Sequence, residues 1–305
     1  MKKVLFALAA VCAVAGTVAL AQQRERRAPD PRSMGGGDCR DNPYNCADAA
    51  NPLPAATTVW LEEMTWMDVR DALKAGKTTA IVATGGMEPN GPWLVTGKHN
   101  YVLHANCEAI ARKLGNALCA PIVKFVPEGD IEPKKTGHMT SPGTITARET
   151  TFQALLTDIA ESLQAHGFKT IVFIGDSGGN QNGQKTVAAN LTTKWAGKAV
   201  ALHIPEYYTY NVVTKHFEDQ GLLPKDRKSD NMHDDPIITL NMFIDDPDSV
   251  RYDARVKAGK ATIDSVSIAD RAKATDLAKK IVAFRADYTV AAINKALAAS
   301  KGSMQ

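Results

Sequence analysis

Two glycine-rich segments hold the side chains best suited to chemistry. The first, GGMEPNGPWLVTGKHN from Gly85 to Asn100, carries Glu88, Asn90, Lys98 and His99. The positive end of a helix dipole disfavours a cation, so an imidazole at a helix start is expected to stay neutral. A neutral His99 is a candidate metal ligand, with Glu88 as its oxygen partner. An ordinary capping histidine on a surface loop is the alternative. The second segment, Gly175-Asp-Ser-Gly-Gly-Asn180, places Asp176, Ser177 and Asn180 among glycines that let a ligand approach the backbone.

The second segment leaves several chemistries open. Gly175-x-Ser177-x-Gly179 matches the G-x-S-x-G of a nucleophile elbow. An anion or metal loop at a helix N-terminus is another reading, and a tight turn without chemistry a third. GDSGG also resembles the nucleophile segment of trypsin-like proteases, but that context is all-β, whereas here a strand precedes it and a helix follows. Elsewhere, His233-Asp234-Asp235 could supply a general base or a ligand, with Asp230 as an acid if Ser177 were a nucleophile.

The elements that must carry these loops alternate between strand and helix. Thr78–Thr84 and Lys169–Ile174 are apolar β-rich runs, each followed directly by one of the glycine-rich segments. Strands are also expected over Leu118–Val123 and Ala199–Ile204. Thr65 can cap a short helix ending near Gly76, and a second helix is predicted over Asn100–Leu114. Thr146-Ala-Arg-Glu149 reads as a capping box opening a helix that ends at Gly167. Further helices are expected up to Trp195 and over Thr275–Ala299. Apolar strands joined by helices imply parallel pairing, which gives a three-layer α/β/α sandwich with a mostly parallel sheet. In such sheets ligands bind beyond the carboxyl ends of the strands, where both segments fall.

Residues 1–21 combine Lys2 and Lys3, an apolar run and Ala19-Leu-Ala21, the pattern of a secretory signal peptide. The expected product is exported, periplasmic or secreted, with no membrane association after cleavage; an uncleaved anchor is the alternative. Residues 22–58 contain RERR and PDPR with few large apolar residues and read as a flexible arm or linker, leaving one domain over 59–305. The formal charge is +3, of which Lys2 and Lys3 contribute two, and no basic stripe suggests nucleic acid. Export permits disulfides among Cys39, Cys46, Cys107 and Cys119. Cys39–Cys46 is the first pairing to expect; Cys107 and Cys119 could be bridged or buried as free thiols.

In order along the chain, Glu88-Pro-Asn90-Gly91-Pro92, His138-Met-Thr-Ser-Pro142-Gly-Thr-Ile145, Gly175-Asp-Ser-Gly-Gly-Asn180 and, more weakly, His233-Asp234-Asp235 resemble the creatininase family of metal-dependent amidohydrolases. The resemblance spans about residues 59–245. It implies a creatininase-like fold, a divalent metal (Zn or Mn), a small-molecule amide substrate and a homo-oligomer. Only Glu88 keeps a family ligand type at its own position. Asn90 and Ser177 stand where the family has histidine, and His99 where it has aspartate. A rebuilt single-metal site of Glu88, His99 and Asp176 is therefore expected, with His233 moving the proton and Asn90, His138 and Asn180 contacting substrate. The leading expectation is hydrolysis of a C–N amide bond. A serine hydrolase using Ser177 and a non-catalytic binding protein on the same scaffold are the alternatives.

Overall fold

Runs of small and β-branched residues make the strands, because such side chains pack on both faces of a buried sheet. The computed structural model describes residues 28, 30–230 and 232–302; the expected signal peptide lies outside them. The chain divides into two compact units, up to Pro54 and from Ala55. In the first, Cys39 and Cys46 are disulfide-bonded and Ser33 pairs with Cys46 in an isolated antiparallel bridge.

The second unit begins with helix α1 (Trp66–Lys74), followed by strand β1 (Thr79–Thr84), helix α2 (Lys98–Leu114) and strand β2 (Ala117–Cys119). Helix α3 (Glu149–Ala165), strand β3 (Thr170–Gly175), helix α4 (Gln181–Trp195) and strand β4 (Val200–His203) complete the sheet region. Then come α5 (Tyr210–Asp219), α6 (Pro236–Asp245), α7 (Tyr252–Lys257), the two-residue strands β5 (Thr262–Ile263) and β6 (Val266–Ser267), and α8 (Arg271–Gly302). The four long strands pair in the order β2-β1-β3-β4, all parallel. Helices α3 and α4 pack together, as do α2, α6 and α8. This is the expected α/β architecture, a parallel sheet flanked by helices.

Local signals account for most boundaries. Thr65 caps α1 in a full capping box with Asp68, and Gly115, in the left-handed region, ends α2. Cys107 of α2 is disulfide-bonded to Cys119 of β2, so neither is a free thiol. The box predicted at Thr146 does not form. Helix α3 starts after Arg148 without a side-chain cap, and the Thr146 hydroxyl instead accepts from the Glu128 amide and donates to the Gly129 carbonyl. A tertiary partner has outcompeted the local one. Strand β2 is also shorter than expected, although Val123 still bridges to Thr84 beyond its end.

Two apolar cores result. One surrounds the sheet, with Ile81, Leu118, Phe152 and Phe173 fully buried. The other joins α2, α5, α6 and α8 around Leu240, Phe243 and Ile281. Between them, at the carboxyl ends of β1 and β3, lie charged side chains buried as deeply as the apolar ones.

Candidate metal centre and active site

Strands β1 and β3 are adjacent and in register, Thr84 opposite Gly175, so the segments that follow them leave the sheet side by side. Asn180 fastens them together, its amide donating to the carbonyls of Thr84 and Gly85 at 3.0 and 2.9 Å. Asn90 likewise donates to the Glu88 carbonyl at 2.8 Å. Both NH2 groups are spent on backbone while both Oδ1 atoms are buried without a hydrogen-bond partner, and neither residue lines the cavity of about 270 Å³ that opens here. Glu88, Lys98, His99, His138, Asp176, Ser177, Tyr208, Tyr210 and His233 do line it.

Glu88, His99 and Asp176, expected to meet, do come together, but with the imidazole set between the two carboxylates. His99 Nδ1 lies 2.8 Å from Asp176 Oδ2 and its Nε2 lies 3.1 Å from Glu88 Oε1. Both ring nitrogens therefore face carboxylates. Burial works against charging this imidazole, but the hydrogen bonds to Asp176 and Glu88 outweigh it and raise its pKa to about 9. The neutral imidazole expected from the helix dipole is corrected here, because two adjacent carboxylates exceed a terminal dipole.

Cations that the sequence reading left without a role close the two ends of this chain. Lys98 Nζ, on a side chain 1% exposed, lies 2.7 Å from Glu88 Oε1, and it donates to the His233 carbonyl at 3.3 Å. Arg285 Nη2 lies 3.1 Å from Asp176 Oδ1, which also accepts from the Tyr210 hydroxyl at 2.7 Å. Arg285 is further packed over the rings of Tyr207 and Tyr210. Burial raises the pKa of both carboxylates, but the bond and charge of His99, with Lys98 on one side and Arg285 on the other, hold each below its usual range.

Opposite this chain a second group faces Glu88. His138 Nδ1 lies 3.0 Å from Glu88 Oε2 and 2.9 Å from Glu128 Oε2. Burial first, then the nearby charge of Glu88, pushes the Glu128 carboxyl up to about 7 against the pull of His138. Its other oxygen, Oε1, is buried without a hydrogen-bond partner. Gly86, at φ +153°, makes room for it; a Cβ there would collide with that oxygen. His233 stands at the cavity mouth, Nδ1 3.5 Å from Glu88 Oε1 and its ring 5.1 Å from that of His138. Burial and then the charge of Lys98 lower its pKa.

Ligand atoms of Glu88, His138 and His233 all lie within 4.8 Å of one another. One buried carboxylate and two imidazoles form a donor set suited to Zn²⁺ or Mn²⁺. A single ion fits these residues. Ser177 lines the cavity too, but no imidazole hydrogen-bonds its hydroxyl among the described residues, and Asp230 Oδ1 accepts from the Met232 amide. The loop carrying His233 is anchored by Asp234, paired with the buried Arg255 at 3.2 Å, and by Asp235, which caps α6.

Sequence signals for the roles of Lys98 and Arg285 exist. Lys98 opens α2, where the dipole disfavours a cation unless an anion compensates it. Arg285 lies four residues after Ile281 and four before Thr289 on a stripe that continues to Ile293, all buried. A charge on a buried stripe needs a partner. Glu128 sits in an irregular segment, and nothing local marks it.

Comparison with known proteins agrees with this fold. The creatinine amidohydrolase (creatininase) family model matches residues 62–292. A solved creatinine amidohydrolase superposes with a TM-score of 0.52 at 20% identity, covering 79% of this chain and 97% of the other. A manganese creatininase gives 0.53 at 22% identity, over 76% and 97%. A mutant creatininase of the Zn-Zn type gives 0.54 at 20% identity, over 76% and 97%. No curated protein matches the sequence. Creatininase structures carry zinc or manganese, and this chain has a candidate metal-binding triad of its own in the cavity at the carboxyl ends of β1 and β3. With the fold shared over most of both chains and the family model spanning the domain, this protein belongs to the creatininase family.

Proposed function

We propose that this protein is a metal-dependent hydrolase of a C–N amide bond in a small molecule, with one divalent ion held by Glu88, His138 and His233. The convergence of those three side chains in one small cavity carries the reading. When bound, the ion would supply positive charge to polarise a carbonyl and ease the deprotonation of water. The protein's own residues do the rest. Lys98 and His99 fix the Glu88 carboxylate from one side, and His138 meets it from the other. Glu128 accepts from His138 Nδ1 and so orients that ring, as outer carboxylates do for ligating histidines. Tyr208 and Tyr210, edge to face at 5.8 Å, wall one side of the cavity. The cavity volume suits a compact substrate.

Export to an oxidising compartment and assembly into a homo-oligomer belong to the same proposal. Two disulfides support export. The serine-nucleophile reading lacks a base in position. A binding-only role is favoured by one observation, that Lys98 already neutralises Glu88.

The test is turnover of small cyclic amides, creatinine among them, by protein stripped with a chelator and reloaded with Zn²⁺ or Mn²⁺. Activity should vanish on stripping and return on reloading, and Glu88→Gln should lower kcat/KM by about a hundredfold or more. Activity indifferent to chelator would contradict the proposal, and a Glu88→Gln variant that keeps its biological role would favour binding alone.

A further inference from the structure

The pair of Lys98 with Glu88 has a consequence beyond holding a carboxylate in place. Lys98 is long, charged and 1% exposed, yet it is directed inward at the one carboxylate common to every candidate donor set. His99 lies against the same oxygen at 3.1 Å, and Arg285 against Asp176 at 3.1 Å. Two carboxylates are thus matched by two permanent cations and an imidazole with both nitrogens engaged. Each oxygen of Asp176 has a partner, Oδ2 with His99 and Oδ1 with Tyr210 and Arg285. A second divalent ion on this side would need to displace those partners and enter beside two fixed positive charges in a buried site. Like charges at such distances are strongly unfavourable where water cannot screen them.

Resting on the single-ion reading above, we infer that Lys98 is the built-in second cation of this centre. The chain takes up one divalent ion, where the creatininase of the Zn-Zn type holds zinc in pairs. Lys98 is a positioning residue in this account, acting through Glu88. Its charge keeps that carboxylate in place and weakens the attraction left over for an ion held by the same carboxylate with His138 and His233. A lysine that merely filled space would have neither effect.

Calorimetric titration of the chelator-stripped full chain with Zn²⁺ tests this, with metal content after desalting as a second readout. Wild-type protein should bind one ion per chain. Lys98→Met should bind its ion at least tenfold more tightly, because a neighbouring positive charge is gone, and Lys98→Arg should stay within a few-fold of wild type. Two ions per wild-type chain would overturn this inference and leave the metal-dependent reading standing. No uptake at all would overturn both. Unchanged or weaker binding by Lys98→Met would also overturn it, and the wild-type stoichiometry decides alone should that variant fail to fold.

Discussion

Between Ala80 and Ala83, β1 is enclosed by apolar neighbours; five residues further on, Glu88 is buried to the same degree among Lys98, His99 and His138. Strand β3 repeats the contrast, running from Ile171–Ile174 to Asp176, which is fully buried and held by His99, Tyr210 and Arg285. In the strand interiors many apolar residues of suitable size would serve, since burial is non-directional. At the tips each group is tolerable only with its own partner present. The sheet therefore supplies rigidity, and the tips hold a specific charge pattern against it.

Removing a tip cation should have the largest effect. Arg285→Met leaves Asp176 buried without its permanent counter-charge and should cost about 3–5 kcal/mol in a denaturant melt. Adding Asp176→Asn should recover part of that loss, and a double variant as unstable as the single one would break the comparison. Next comes the covalent tie between α2 and β2. Replacing Cys107 and Cys119 by alanine frees α2, which bears Lys98 and His99, from β2, and should cost about 2–4 kcal/mol, read the same way. Ile81→Val, deep in the sheet, should cost only about 0.5–1.5 kcal/mol. If it cost as much as Arg285→Met, the interior would be as exacting as the tips.

The smallest effect expected is pH-dependent and away from the centre. His104 is stacked on Trp60 at 4.7 Å and joined to Asp245 at 2.5 Å, and that bond, against partial burial, raises its pKa above the ordinary value. A raised histidine pKa stabilises the fold below the unfolded value near 6.5, and the contribution fades as pH rises through the folded pKa. His104→Gln should therefore lower Tm more at pH 5.5 than at pH 9. An equal drop at both would assign the effect to stacking alone.

The same contrast governs how much was legible in the sequence. β1 and β3 announce themselves as compact apolar runs, and the Thr65 cap forms as its local pattern dictates. The ordered Glu88, His138, Asp176 and His233 segments pointed to the family, and the two glycine-rich segments to the carboxyl ends of the strands. What sequence reading missed is which partner each charge takes. Thr146 offered a local cap and took the Glu128 amide instead. His99 looked neutral until two carboxylates from distant segments met it. Glu128 lies 10 residues before its partner His138 in an irregular stretch, and Arg285 lies 109 residues after Asp176. Such pairings are set by the sheet register, which residue-level periodicity does not encode.

The most direct test of the central claim is a crystal soaked with Zn²⁺ and measured at the zinc absorption edge. One anomalous peak per chain is expected, within about 2.0–2.2 Å of donor atoms from Glu88, His138 and His233. A peak between His99 and Asp176, or none at these strand ends, would contradict it.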